Sequence, residues 1–281
     1  MNNISYFLWF DGKAEEAMNF YTSVFSNAKR GRVNPMTASF ELYGQSFIAL
    51  NGGPQFKFTP AISFFISCNT EQEVDSLWQK LMEGGSALMP LNKYPFSEKY
   101  GWVQDKYGLS WQLNLASTGQ KLMPCLLFVG HQCGKAEEAA KFYTGIFKNS
   151  GIERMERYQP GEQGPEGTIK HGVFTLEGQH FVAMDSNLQH NFTFTEAISL
   201  FVHCQTQEQV DYFWENLSAD GQKSRCGWLK DKYGVSWQVV PDALGQLMGD
   251  PNPAKSKRVL NAMMKMDKII IADLQKAHDG Q

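Results

Sequence analysis

Two short runs, GLSWQLN (108–114) and GVSWQVV (234–240), set uncharged polar side chains among apolar ones at alternate positions. Ser110, Gln112 and Asn114 in the first run, and Ser236 and Gln238 in the second, therefore share one face of a strand. Hydroxyl and amide groups on a buried face need hydrogen-bond partners, and either a bound small molecule or a cross-strand network can supply them. Their chemistry is recognition and orientation. Lacking imidazole or carboxylate, they make a weak cage for a transition metal. His203 shares a strand face with Ser199 and Phe201, open to a pocket role or to that of a satisfied structural histidine. All six histidines follow residue 130. His171 and His180 lie on neighbouring strands and could approach one another. Trp102 and Trp228 precede a D-K-Y-G turn and either join the core or flank a pocket mouth, where they would stack on a flat ligand. Trp111 and Trp237 follow the turn, face away from Gln112 and Gln238, and read as core. Asp105 and Asp231 suit the turn itself.

The elements that position these groups follow from composition and repetition. The chain has 281 residues, 42% hydrophobic and 20% charged, with a net charge of −3. That describes a globular chain of about two domains. A pI near 6.1 removes the electrostatic case for nucleic acid. No apolar run approaches the roughly 18–20 residues that span a bilayer. The start, MNNISYFLWFDG, has neither a basic n-region nor a small-residue cleavage site, so the expected location is cytoplasmic. Five cysteines, Cys68, Cys125, Cys133, Cys204 and Cys226, form an odd set without a C-x-x-C pair, against both a disulfide framework and a zinc knuckle.

The chain repeats itself. KAEEAMNFYTSVF (13–25) returns as KAEEAAKFYTGIF (135–147), FELYGQSFIALN (40–51) as FTLEGQHFVAMD (174–185), and GWVQDKYGLSWQLN (101–114) as GWLKDKYGVSWQVV (227–240). A tandem duplication follows, with domains expected at 1–118 and 122–245 and a helical extension at 250–281. The second copy gains a Gly/Pro-rich loop near 158–168 and loses residues where the first has Ser86–Lys99. Within each copy, stripes such as Ala17, Phe20, Tyr21 and Val24, or Val74, Leu77, Trp78 and Leu81, mark amphipathic helices. Thr70-x-x-Glu73 and Thr206-x-x-Gln209 read as capping boxes. Strands are expected at 4–10, 61–67, about 124–130 and 197–203. The unit is strand–helix–strand–strand–strand, used four times, and the fold class is α+β. In the first strand Tyr6, Leu8 and Phe10 share one face and Phe7 and Trp9 the other. Both are apolar, so one meets helices and the other lines an enclosed space. Val259, Leu260 and Met263 give the tail an apolar stripe suited to packing on its own domains or across a dimer.

FLWFDGKAEEAMNFYTSVF, the AISFF strand and GWLKDKYGVSWQVV resemble the PhnB-like branch of the vicinal oxygen chelate superfamily, which also holds glyoxalase I, bleomycin-resistance proteins and extradiol dioxygenases. The nearest likeness is to the subfamily labelled 3-demethylubiquinone-9 3-methyltransferase. The resemblance implies paired βαβββ modules closing half-barrels around pockets. The superfamily's metal-ligand positions correspond here to Tyr6, Ser63 and Gln112 in the first copy, and to about Leu126, Ser199 and Gln238 in the second. These are not the usual metal donors, so no metal or other cofactor is expected. Nor does any strand–helix junction carry the G-x-G turn expected for S-adenosylmethionine: they read FDGKAEEA and CNTEQEV. The expected function is binding of a small, apolar or aromatic molecule in a concave pocket lined by Tyr6, Ser63, Trp102, Ser110 and Gln112, and by Ser199, His203, Trp228, Ser236 and Gln238. Catalytic residues are not assignable from the sequence. The alternative is a lyase or dioxygenase-type enzyme of the same superfamily acting on a vicinal-oxygen substrate. Expected assembly is a monomer with an internal pseudo-dimer, or a homodimer.

Overall fold

The computed structural model describes residues 4–116 and 120–281; the expected boundary at 118 lies outside them. In chain order the elements are β1 (Ile4–Phe10), α1 (Ala14–Val24), β2 (Ala28–Val33), β3 (Thr37–Leu42) and β4 (Gln45–Asn51), then β5 (Ile62–Cys68), α2 (Glu71–Met82), β6 (Ser86–Tyr94), β7 (Ser97–Gln104) and β8 (Ser110–Leu115). The second copy follows with β9 (Leu122–Val129), α3 (Ala136–Ile146), β10 (Gly151–Arg157), β11 (Ile169–Leu176) and β12 (Gln179–Ser186), then β13 (Ile198–Cys204), α4 (Gln207–Leu217), β14 (Gln222–Lys223), β15 (Trp228–Lys230) and β16 (Ser236–Pro241). The tail is α5 (Asp242–Met248), α6 (Pro253–Met263) and α7 (Ile271–Asp279). Four βαβββ modules are therefore present, and the class is α+β. The capping boxes form as the spacing requires: Thr70 and Thr206 accept from the backbone N–H of Glu73 and Gln209. Glu73 and Gln209 accept in return from Asn69 and Gln205.

Two compact units result, residues 7–198 and residues 4–6 with 199–281. In the larger unit one sheet has the order β10-β11-β12-β9-β5-β8-β7-β6. Its centre is the antiparallel pair β5/β9, with Ser63 opposite Cys125 and Phe65 opposite Met123. The second module of the first copy thus shares a sheet with the first module of the second copy. The same unit carries the order β1-β4-β3-β2 through Phe7–Phe10, and the smaller unit carries β14-β15-β16-β13-β1 through the first residues of β1.

On the helix side of the larger unit the core is aromatic. Trp111 lies 5.4 Å from Tyr21, 4.7 Å from Phe25 and 5.3 Å from Phe64, centroid to centroid. Asp105 anchors this cluster. It is 3% exposed, and Oδ2 accepts from Tyr21 Oη (2.9 Å) and Trp111 Nε1 (2.8 Å). Oδ1 accepts from the backbone N–H groups of Tyr107 and Leu109. Burial pushes the Asp105 pKa up, and these four donors pull against it. Asp231 repeats the turn, accepting from Tyr233, Val235 and Trp237 Nε1.

The smaller unit compensates for a short hairpin. Its β14 and β15 have two and three residues, against nine and eight in β6 and β7. The tail supplies the missing edge: Cys226 and Gly227 N–H donate to the carbonyls of Met266 and Asp267 at 2.8 and 2.7 Å. Gly227 has φ +81°, and a Cβ there would come 2.6 Å from the Val239 carbonyl oxygen, so only glycine fits. Leu244, Val259, Ile269 and Leu274 of the tail pack with Val240, and Phe201 adjoins them. The tail is three helices, beginning at Asp242 directly after Pro241, where the single stripe at 259–263 suggests one. No helix among the described residues is long and apolar enough to cross a membrane.

Replacing Asp105 by alanine orphans four donors, three of them buried. The Asp105→Ala protein is expected to lose about 3–5 kcal/mol of stability, read as a lower midpoint in urea unfolding.

Candidate functional site

The inner face of the larger unit's sheet follows from its register. Ser63 pairs with Ser110 and Phe65 with Gln112 across β5/β8, and Trp102 with Gln112 across β7/β8. Val182 stands beside Cys125 across β12/β9. One face therefore carries Ser63, Phe65, Ser110, Gln112, Trp102, Met123, Cys125 and Val182. Phe65, Tyr100, Met123, Cys125 and Val182 form an apolar cluster there, and Met89, Tyr94, Trp102 and Met184, each partly buried, pack on it.

A hydrogen-bonded chain crosses this cluster. Tyr100 Oη donates to Gln112 Oε1 at 2.6 Å, and Gln112 Nε2 donates to Ser63 Oγ at 2.8 Å. Trp102 Nε1 donates to Ser110 Oγ. Four of the expected pocket residues, Ser63, Trp102, Ser110 and Gln112, are thus brought together with fixed roles. Cys125 sits against them fully buried, its thiol pushed up to about 12 by desolvation despite hydrogen bonding to Gln112 and Ser63. It stays a protonated thiol at neutral pH. Tyr100 and Cys125 were not expected. Tyr100 reads as one more aromatic in a hairpin and Cys125 as one of five free cysteines. Strand alternation around 122–129 does point Cys125 to the face of Ser63.

Tyr6 does not line either inner face. Ser5 Oγ meets His203 Nε2 at 2.9 Å, so the next residue points to the opposite side of the strand. Tyr6 is fully buried there, and desolvation pushes its phenol well above the usual range. Leu126 likewise alternates away from Cys125. His171 and His180 do not meet. His171 Nδ1 accepts from Arg154 at 3.1 Å, and burial followed by the Arg154 charge lowers its pKa. His180 stands opposite Thr175 and engages Gln120 and Glu153.

In the smaller unit Gln238 Nε2 donates to Ser199 Oγ at 2.8 Å, as Gln112 does to Ser63. Trp228 pairs with Gln238, and Ser236 with Ser199. Cys226 replaces Tyr100, so the tyrosine link is missing. His203 Nδ1 lies 3.2 Å from Asp242 Oδ1. The tail packs on this face through Val240 and Phe201.

Two clefts of about 320 and 400 Å3 open elsewhere, between α1 and α2, lined by Val24, Ser23 and Lys80 among others. None of the expected pocket residues borders them.

The residues do not fit a metal. Near Gln112 the donors are a hydroxyl, an amide and a protonated thiol, and among the described residues no three His, Cys, Asp or Glu side chains come together in a metal-holding group.

Among solved structures, the PhnB protein from Bacillus cereus is 46% identical over 40% of this chain and 98% of its own, with a TM-score of 0.38. A protein from Staphylococcus aureus is 33% identical over 41% of this chain and 97% of its own, with a TM-score of 0.19. Glyoxalase I from Zea mays has the same fold, matching 84% of this chain and 90% of its own at 12% identity and a TM-score of 0.55. No curated protein matches. The profile of the 3-demethylubiquinone-9 3-methyltransferase family matches residues 2–114 and again 120–240. The chain belongs to that family, twice over.

Proposed function

We propose that the inner face of the larger unit binds a small, largely apolar or aromatic molecule without a metal. One observation carries this reading: the Tyr100–Gln112–Ser63 chain lies at the floor of a face otherwise made of Phe65, Met123, Val182, Met89, Met184 and Trp102. A few placed polar groups within an apolar lining are what a small-molecule site requires. The side chains on top suit displacement. Met89 and Met184 are unbranched and flexible. Met89 and Tyr94 ride on a hairpin whose pairing breaks register between Ala87 and Met89 and again around Asn92. A ligand that takes their place meets the Gln112 amide below and Trp102 beside it. Both modules of this face come from one chain, so the site needs no second copy.

The family's name carries methyl transfer, but the residues of this chain do not support it. Its strand–helix junctions have no Gly-rich turn to let backbone approach a nucleotide. Metal-assisted lyase or dioxygenase chemistry would need charged or imidazole donors where this face has Ser63, Gln112 and Cys125.

A native mass spectrum of protein purified without chelator or added metal tests the metal-free reading. The bare chain, or the chain plus an organic mass, is expected; a retained divalent ion near the chain's stoichiometry overturns it. Titration with 8-anilinonaphthalene-1-sulfonate tests the face itself. Trp102→Ala is expected to raise the dissociation constant about tenfold, the loss of one aromatic contact of about 1.4 kcal/mol. Unchanged affinity places the probe elsewhere and removes the proposal.

A further inference from the structure

In the smaller unit three side chains from distant parts of the sequence form a line. Ser5 Oγ is 2.9 Å from His203 Nε2, and His203 Nδ1 is 3.2 Å from Asp242 Oδ1. The Asp242 carboxylate only accepts, so Nδ1 carries the proton and donates to it. Nε2 of the neutral ring is then bare and accepts from the Ser5 hydroxyl. The hydroxyl, the ring and the carboxylate stand in the order, and through the ring atoms, by which an acyl-transfer nucleophile is activated and its base is held. Ser5 is 2% exposed, while the His203 and Asp242 side chains are 34% and 45% exposed. The serine is buried and the histidine beside it is partly open to solvent.

The corresponding places in the other half of the repeat show that the fold does not require this line. Trp9 N–H donates to the Ala197 carbonyl as Leu127 N–H does to Ala61, which matches Ser5 to Met123. The offsets of 136 and 126 match His203 to Ser67 and Asp242 to Ala116. Met123, Ser67 and Ala116 form no relay, and their sheet is complete. All three positions differ together, in the direction that builds one.

We propose that Ser5, His203 and Asp242 form an acyl-transfer site for small esters with an apolar acyl group. Ser5 and His203 are the catalytic residues and Asp242 is a positioning residue. The apolar acyl group is read from the neighbours: the Phe201 ring lies 4.7 Å from the His203 ring, and Val240 and Leu244 stand alongside. Ser5 Oγ attacks the ester carbonyl carbon while its proton passes to His203 Nε2. The bond to the leaving alkoxide breaks, and the alkoxide takes that proton and departs as an alcohol. Water then adds to the acyl-serine, giving its proton to His203. The carboxylic acid leaves and the Ser5 hydroxyl is restored.

The test is labelling of the full chain by a fluorophosphonate probe, located by peptide mass mapping and followed by rate, with 4-nitrophenyl butyrate hydrolysis alongside. One adduct per chain on Ser5 is expected. It should be absent in Ser5→Ala and at least about a hundredfold slower in His203→Gln. Asp242→Asn, at the exposed start of α5, keeps the fold while leaving the ring without its carboxylate. A slowing of tenfold or more with an unchanged urea midpoint is expected there. No adduct on the folded wild-type chain, an adduct on another residue, or an Asp242→Asn rate equal to wild type overturns the proposal. Because Trp102 and Gln112 belong to the other unit, this outcome is independent of ligand binding there.

Discussion

The buried carboxylate of Asp105 is the contact on which the site's geometry depends. Its four hydrogen bonds close the turn between β7 and β8 and tie the Trp111 indole to the helix side beside Tyr21. Side chains on a strand alternate, so a strand whose Trp111 is pinned outward must turn Ser110 and Gln112 inward. A slip of one residue would exchange the core tryptophan for the amide and bury two polar groups among rings. A residue that the sequence places merely in a turn therefore sets the register of the candidate site. Asp231 holds Trp237 in the same way and turns Gln238 toward Ser199.

Beyond that shared device the two inner faces are closed by different parts of the chain. In the larger unit the long β6–β7 hairpin brings Met89, Tyr94 and Tyr100 over the face. In the smaller unit the hairpin is too short to do so, and the carbonyls of Met263, Met266 and Asp267 accept from Cys226 and Gly227 where an edge strand would run. The absence of a Cβ at position 227 is what lets the Val239 carbonyl and the Ile269 side chain approach. Tail and hairpin are alternative answers to one constraint, an inner face whose apolar side chains must be kept from water.

Much of this was legible in the residues. The duplication, the four strand–helix openings and both capping boxes follow from local spacing, and the strands fall within two residues of where alternation places them. Local spacing says nothing about which module pairs with which, because every module carries the same pattern. The union of β5 with β9 is a long-range choice, visible only in the fold. The same limit explains the site. Ser110 and Gln112 announce themselves as polar residues on an apolar face, and Ser63 enters through the resemblance. Tyr100, Cys125, Ser5 and Asp242 do not, since each is ordinary in its own stretch of sequence. Tyr6 shows the converse: a phenol in the position the resemblance favours points into the helix-side core, because its neighbour Ser5 faces His203. Comparing the halves position by position would have exposed the substitutions of Met123 by Ser5, Ser67 by His203 and Ala116 by Asp242.

A duplicated fold frees its copies to differ in chemistry while keeping one architecture. In the larger unit the Tyr100, Gln112 and Ser63 side chains hydrogen-bond to one another, and the Tyr100 phenol and the Cys125 thiol are both held protonated by burial. Such a network fixes the orientation of its own side chains. The smaller unit keeps the glutamine–serine bond but replaces its surroundings with an imidazole between a hydroxyl and a carboxylate, half open to water. The difference rests on three side chains. Neither backbone topology nor core packing had to change to make it.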